Sequence, residues 1–395
     1  MGELISIEEG RRRVLAAVRP LASEEVPLAA ALGRVLALDV DSAIDVPPFD
    51  GSAMDGYAVI AGPAAQLKVV GEARAGHPSP QAAREGTAIR ISTGAAVPAG
   101  TTAVVPVERT EAAADGLVHV DASSRGDNIR RAGDDVRAGQ VVLRAGTPLG
   151  PAELGVAASV GRARLRCSRR PRIALLMTGD ELTEPGAQLG PGGIYSSNGP
   201  ALAAQVERAG GLPATRATVR DRAEDTRAAL GRARAEADVV IVCGGVSVGP
   251  HDHVKGALAA LGFDERFWGV RLRPGKPTWF GTREDMLAFG LPGNPVSAMV
   301  TFQLFVRPAL AALQGSDPSP RRGVAALDEP IPRHPSREQA VRVRLSAAED
   351  GWHAAPTGPQ GSHLLTSMLG AAGLALVAPG EGEIPAGERV EVELL

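Results

Sequence analysis

Between Arg172 and Leu313 short apolar runs alternate with longer amphipathic ones, and this alternation constrains the fold more than any other feature of the chain. Arg172 to Met177, Thr215 to Val219, Val239 to Cys243 and Met286 to Leu291 have the length and the Val/Ile/Leu/Ala content of buried strands. Pro200 to Ala209, Ala223 to Ala235 and Val296 to Leu313 carry apolar residues at helical spacing, and another helix is expected by Val254. Ser197-Asn198 is placed to cap the first of these. Strands joined through helices pair in parallel and bury both faces of the sheet. The segment therefore predicts an open, mostly parallel α/β sheet.

The flanks read differently. Ile5 to Val18 predicts a helix ended by Pro20, and Leu28 to Val40 a second short helix with an extended exit. Asp45 to Ala58 holds Pro47-Pro48, Asp50-Gly51 and Asp55-Gly56, so it predicts a loop. Leu67 to Val120 contains short β runs punctuated by Gly and Pro, and Pro151 to Val160 restarts a helix. Asp317-Pro318-Ser319-Pro320 reads as a linker, after which Ala340–Leu345, His353–Pro356, Leu374–Ala378 and Glu388–Leu394 predict a small β-barrel or sandwich. The expected organisation is a multidomain α/β plus β protein. An N-terminal helical and extended unit takes 1–50 and 125–168, a small β unit 51–124, the α/β unit 169–315 and a C-terminal β-barrel 321–395. A chain of 395 residues has room for several such cores.

Charge and composition exclude several function classes. The net charge is −3, whereas nucleic-acid binders are usually basic, so Arg11-Arg12-Arg13 and Arg169-Arg170 read as solvated faces. Cys167 and Cys243 stand far apart and match neither a disulfide framework nor a metal-ligand pattern. Acidic residues come early and no apolar h-region follows, and no apolar run reaches the ~20 residues of a bilayer span. A cytoplasmic protein with no membrane or nucleic-acid partner is expected. Nearly every basic residue is arginine. The three lysines, Lys68, Lys255 and Lys276, stand out as positions that want a compact ammonium.

Ligands of open α/β sheets bind beyond the carboxyl ends of the strands, and three strand ends are equipped for it. They carry Thr178-Gly179-Asp180-Glu181-Leu182, Gly244-Gly245-Val246-Ser247-Val248-Gly249-Pro250-His251-Asp252 and Gly290-Leu291-Pro292-Gly293-Asn294-Pro295. On its own the second loop reads either as a tight strand-to-helix turn or as an oxyanion cradle of backbone N–H groups. Asp252 favours the cradle: a carboxylate there needs a bridging cation, and Mg²⁺ binds one or two carboxylates together with phosphate oxygens. In the third loop Asn294 suits an N-cap and Pro295 the first helical position, which fits a plain helix start or a ligand loop. Arg273-Pro274-Gly275-Lys276-Pro277 places two cations in a stiff turn, suited to a tetrahedral oxyanion or to solvent. Asp221 follows another strand and reads as a metal ligand or a surface ion-pair member. No HExxH, Walker or GxGxxG motif is present.

Together these motifs, with Ser52-Ala53-Met54-Asp55-Gly56-Tyr57-Ala58 and the segment Pro292 to Ala298, resemble the molybdopterin molybdotransferase family (bacterial MoeA; gephyrin E domain) over nearly the whole chain. The resemblance implies four subdomains and an elongated homodimer whose cleft lies between the α/β unit of one subunit and the N-terminal units of the other. It implies that molybdate is inserted into adenylated molybdopterin, with Mg²⁺-dependent release of AMP. It assigns Asp55, Asp135, Glu181, Asp221, Asp252 and Lys276 to catalysis, with Asp221 and Asp252 near the metal. Thr93, Thr178, Gly179, Ser197, Asn198, Gly244, Gly245, Ser247, Gly249 and Pro292 through Pro295 (Gly293 and Asn294 included) would bind the adenylate. Arg273, Lys276, Pro277, Arg337 and Ser362 would form the molybdate pocket. The chain departs from the pattern at Arg273 and Gly269, where many relatives carry lysine, and at Ala340, where an aromatic is common. Transient contact with a molybdopterin adenylyltransferase is a further expectation. Two alternatives stand beside this reading: an adenylyltransferase-like activity, and a non-catalytic scaffold or carrier for molybdopterin.

Overall fold

The computed structural model describes residues 4–246 and 252–395. Ser247 and Gly249 of the glycine-rich loop lie outside the described residues.

Helix α1, Ile7–Ala16, starts where the Ser6 hydroxyl accepts the Glu9 N–H at 3.1 Å. It buries Ile7, Gly10, Arg11 and Val14, one face at helical spacing. Of the second short helix and extended exit expected over 28–40, the helix does not form and the extended exit does. Only a single 3₁₀ turn at Leu28–Ala30 and a short strand at Val40–Asp41 are present. The backbone there is taken by partners from the other half of the unit: Gly33 N–H donates to Leu149 O at 2.8 Å and Leu36 N–H to Thr147 O at 3.0 Å. Ser23–Pro27 likewise pairs antiparallel with Arg164–Ser168, so two distant segments build one core around Leu36, Leu149, Leu165 and Cys167.

The small β unit is a six-stranded sheet in the spatial order 103–106, 56–59, 87–91, 65–73, 117–120, 110–112. Part of the segment expected to be a loop is therefore strand: Gly56–Val59 sits between two neighbours, and Ala58 and Val59 are buried. Asp55-Gly56 reads locally as a turn, but a Cβ at Gly56 would stand 2.0 Å from Val105 O, so this glycine serves close strand packing.

The α/β unit follows the expected pattern. Its strands are β1 (Arg172–Thr178), β2 (Leu212–Val219), β3 (Val239–Cys243), β4 (Asp264–Trp268), β5 (Leu272–Arg273), β6 (Trp279–Arg283) and β7 (Met286–Leu291). Its helices are α2 (Asn198–Arg208), α3 (Ala223–Glu236), α4 (Val254–Ala260) and α5 (Pro295–Leu313). The sheet order is β2-β1-β3-β7-β6-β4. Pairing is parallel through β7 and antiparallel for β7–β6 and β6–β4. Ile173, Leu175 and Met177 pack with α2 and α5, and Ala174 and Leu176 with α3 and α4, so alternate residues of β1 serve opposite faces. Helix α5 contains a π-helical segment at Phe302–Val306. Its length and mean hydropathy of 1.5 match a bilayer span, but 78% of it is buried inside the protein, as in a core helix.

The tail contains β8 (Arg322–Leu327), β9 (Glu338–Ala348), β10 (Gly351–Pro356), β11 (Gly373–Val377) and β12 (Arg389–Leu394). The order β9-β10-β8-β12-β11 closes through a β11–β9 pairing into a five-stranded barrel. Two devices lock it to the rest. Strand β5 pairs in parallel with β9, setting Arg273 opposite Gln339. The buried Arg11 guanidinium donates to Leu304 O of α5 at 2.9 Å and forms an ion pair with the fully buried Glu393 of β12.

Candidate active site

From β1 the chain crosses to β2 on one side and then returns to β3 on the other, which leaves a crevice beyond the carboxyl ends of β1 and β3. A cavity of about 510 Å³ occupies it, walled by Thr178, Glu181, Asn198, Cys243, Gly293, Asn294, Pro295 and His363 among others. Next to the lining residue Cys243, Gly244 has φ +97°, and a Cβ there would lie 2.6 Å from Thr178 Oγ1. Asn198 Nδ2 donates to Gly293 O at 2.7 Å and contacts Cys243 Sγ at 3.1 Å, tying the start of α2 to the Pro292–Pro295 loop. Its Oδ1 is buried without a partner, an acceptor left over for a ligand. Burial pushes the Cys243 thiol up to about 12. The thiol is therefore neutral and donates to Pro292 O at 3.2 Å, a structural role rather than a nucleophilic one.

Two capping expectations are corrected here. Ser197 makes no side-chain cap, because its own backbone is already helical at φ −83° and ψ −26°. Asn294 stands at the N-cap position with Pro295 in the first turn, as expected, but its amide also makes no cap. It donates instead to Ser362 Oγ at 3.1 Å.

A second cavity of about 410 Å³ lies between the α/β unit and the barrel, with Arg273, Pro274, Arg333, Ala340, Arg342 and Gln360 on its wall. Of the residues expected to form the molybdate pocket only Arg273 is on this wall; Lys276, Pro277 and Ser362 are not, Lys276 and Arg273 being exposed and Pro277 half-buried. Arg342 is 1% exposed. Its guanidinium reaches Ser367 Oγ at 3.0 Å and Gly361 O at 3.4 Å, and it forms no ion pair with any described residue. Burial pushes it down to about 10, which still leaves it protonated at neutral pH. Arg337 is not on this wall. Its guanidinium lies against His334, with Nη2 and Nε2 2.7 Å apart. Burial and the positive charge of Arg273 hold Arg337 below its ordinary range, and burial with Arg337 and Arg273 does the same for His334.

The loop Gln360-Gly361-Ser362-His363 joins the two cavities. Gln360 lines the second and its Oε1 accepts the Arg342 N–H at 2.9 Å. Ser362 holds Asn294, and His363 lines the first cavity.

The carboxylates divide into two groups. At the strand ends, Asp221 N–H donates to Asp180 Oδ1 at 3.3 Å, and half-buried Asp252 lies two residues before α4. Lys255 Nζ sits 4.4 Å from the Trp268 ring, and Trp268 Nε1 donates to Val246 O at 2.9 Å, bracing the entry to the glycine loop. Among the described residues no cluster of three or more His, Cys, Asp or Glu is arranged to hold a metal ion. In the β unit, Asp55 Oδ1 accepts the Thr93 N–H at 2.8 Å. Asp135 is exposed and its N–H donates to Val46 O at 3.0 Å. Neither the hydrogen bonds nor the cavity wall of the strand-end site includes Asp55, Thr93 or Asp135 of the same chain.

Residues 5–161 match the family "MoeA N-terminal region (domain I and II)", residues 174–312 "Probable molybdopterin binding domain" and residues 324–395 "MoeA C-terminal region (domain IV)". Molybdopterin molybdenumtransferase 2 of Mycobacterium tuberculosis is 38% identical, with 98% of each chain covered. The chain belongs to the MoeA family. A Haemophilus influenzae member, molybdopterin molybdenumtransferase, is 35% identical over 99% of this chain and 98% of its own. A solved MoeA structure from Pyrococcus horikoshii, a molybdopterin biosynthesis protein, superposes with a TM-score of 0.83 at 31% identity, covering 99% of each chain.

Within this MoeA-family chain, sequence reasoning left Asp180, Cys243, His363, Gln360 and Arg342 out of the site. A signal for Arg342 was available. Val341 and Val343 fill the barrel core, so the two-residue period of β9 sends Ala340 and Arg342 outward, and Ala340 packs into the core of the α/β unit. The small side chain at Ala340 leaves open the wall that Arg342 shares with it.

Proposed function

We propose that this chain is a transferase that inserts molybdate into adenylated molybdopterin, releasing AMP. The observation that carries the reading is the four-residue loop Gln360–His363, which runs from a cavity walled by Arg273, Arg333 and Arg342, with Glu329 as its one acidic member, to the strand-end cavity. The first suits a tetrahedral oxyanion and the second a nucleotide-bearing ligand, so the two substrates meet across Ser362.

In this reading Lys276, Arg273 and Arg342 bind molybdate, Arg342 taking the role that sequence reasoning gave Arg337. A buried guanidinium without a counter-charge gains most from an arriving anion. The Ser362 hydroxyl orients one molybdate oxygen. Thr178, Gly179 and the backbone around Gly244 and Gly245 receive the phosphates, while the unpartnered Asn198 Oδ1 accepts from an N–H donor such as the pterin edge. A molybdate oxygen attacks the pterin-side phosphorus of the phosphoanhydride and the P–O bond to AMP breaks, releasing AMP. The two dithiolene thiols then form Mo–S bonds as the Mo–O bond to the phosphate breaks and one molybdenum oxygen leaves as water with the two thiol protons.

Asp180, Asp221 and Asp252 supply hard oxygen donors at neighbouring strand ends, with Asp180 and Asp221 already in contact. They are not drawn together as a three-carboxylate cluster, but one or two of them, Asp221 and Asp252, would hold Mg²⁺ beside phosphate oxygens. Held by these carboxylates, Mg²⁺ would supply positive charge toward the anhydride oxygens.

Asp55, Thr93 and Asp135 act from a second copy of the chain, completing the cleft in a homodimer. Leu32, Leu38, Ile44 and Phe49 of the N-terminal unit and Met54 of the small β unit, large apolar residues that are exposed, support such an assembly. The enzyme works in the cytoplasm and takes its adenylate through transient contact with a molybdopterin adenylyltransferase. The test is reconstitution with adenylated molybdopterin and molybdate, following AMP release and molybdenum incorporation in Asp252→Ala. A large loss of both supports the mechanism, and near wild-type turnover removes Asp252 from it.

A further inference from the structure

A third cavity, of about 600 Å³, opens where the N-terminal unit, the α/β unit and the barrel meet. Arg208 from the last turn of α2, Arg307 of α5 and Arg321 at the entry to β8 line it. None of the three guanidinium groups makes a hydrogen bond or an ion pair with a described residue, and Arg307 Nε is buried without a partner. Asp317 is the only acidic side chain on this wall, and its carboxylate already accepts the Ser319 N–H at 2.9 Å. Leu395, also on the wall, forms no ion pair with the arginines. The buried amides of Gln303 and Gln314 stiffen the wall, donating to Leu394 O at 3.1 Å and to Leu310 O at 2.8 Å.

We propose that this cavity binds a compact phosphate-type polyanion, either free pyrophosphate or the phosphate chain of a nucleotide, separately from the molybdate site. Three forked guanidinium groups around one space suit several phosphate oxygens better than a single carboxylate. The volume falls in the ~300–1,000 Å³ range of small-molecule sites. Burial, with the charges of Arg11 and Arg321, holds Arg307 below its ordinary range, and an anion relieves both effects. The nearby Glu393 offsets part of this but is already engaged by Arg11. Because the wall is drawn from three units, an occupant favours their present mutual arrangement.

Equilibrium dialysis of the full chain at about 0.15 M salt, with pyrophosphate in one arm and ATP in the other, tests this. The proteins are wild type, Lys276→Ala, and Lys276→Ala combined with Arg208→Ala and Arg321→Ala. In Lys276→Ala, which weakens the proposed molybdate site, one polyanion per chain remains bound beyond any held at the strand-end cavity. Adding the two arginine substitutions weakens that binding about tenfold or more. Stronger retention of one probe identifies the source of the phosphate groups. Arg208→Ala/Arg321→Ala by itself leaves ligand-free molybdenum incorporation unchanged. Both side chains are exposed, so a wild-type melting temperature is expected. If the pair melts early, Arg321→Gln alone replaces it. Loss of all polyanion binding in Lys276→Ala, or undiminished binding after the arginine substitutions, overturns the proposal.

Discussion

Asn294 Nδ2 donates to Ser362 Oγ at 3.1 Å across 68 residues of sequence. The bond joins the first turn of the core helix α5 to the barrel loop that separates the two candidate substrate cavities, and Ser362 O accepts the Val296 N–H at 3.2 Å beside it.

The first prediction concerns this pair. A neutral hydrogen bond contributes about 0.5–1.5 kcal/mol, so Asn294→Ala and Ser362→Ala should each move the melting temperature by only a few degrees. Molybdenum incorporation should fall by an order of magnitude or more in Ser362→Ala. The two substitutions should be non-additive, with a double-mutant cycle giving about 0.5 kcal/mol or more of coupling. Strict additivity would show that the loop is not held through Asn294.

Arg342 and Arg337 give opposite expectations. Arg342→Met removes a charge from the cavity wall while keeping length, and should raise the KM for molybdate about tenfold or more. Arg337→Met leaves that wall untouched and should stay within about threefold. Reversal of this order, read from AMP release against molybdate concentration, would return the oxyanion role to Arg337.

Arg11 and Glu393 form a buried ion pair between α1 and the barrel. Removing one partner strands the other charge, so Glu393→Ala or Arg11→Met should cost about 3–5 kcal/mol in urea unfolding. Arg11→Met/Glu393→Leu should recover much of that loss, because the desolvation penalty disappears from both sides.

His353 bridges Asp328 and Asp350 at 2.8 and 2.9 Å on the barrel surface. Hydrogen bonds to both carboxylates raise its pKa, and the contact with His353 holds Asp350 below the ordinary range. A raised imidazole stabilises fully below its unfolded value of about 6.5, and the gain fades as pH rises through the higher folded value. The melting-temperature advantage of wild type over His353→Gln should therefore be largest in mildly acidic buffer and shrink toward alkaline pH. At the acid end it should also decline, as pH falls through the lowered Asp350 value.

Cys243, held at about 12 by burial, and Cys167, also raised by burial, should resist a thiol-specific reagent at neutral pH and react together on unfolding. A fast-reacting native thiol would contradict the burial of both cysteines.

How far the chain is legible from its residues depends on range. Periodicity identified β1, β2, β3, β7 and their helices, since each buried run repeats locally and needs no partner to be recognised. It failed where a partner decides the outcome. Gly56–Val59 carries turn residues yet becomes strand because neighbours on both sides take its backbone, and 28–40 loses its helix to hydrogen bonds from beyond Gly146. Strands β4 and β6 escaped notice because they follow motif segments and add to a sheet edge already set.

The candidate site divides in the same way. The glycine loops, the Pro292–Pro295 turn and the cationic turn at Arg273–Pro277 are encoded by adjacent residues, and they carried the family resemblance without any coordinates. Only the tertiary structure decided that Asn294 serves Ser362 rather than its own helix, and that Arg342, not Arg337, faces the cavity. Local spacing sets which face a side chain occupies. What that face meets depends on how the closed barrel docks on α5 and β5, through contacts that no short window of sequence contains.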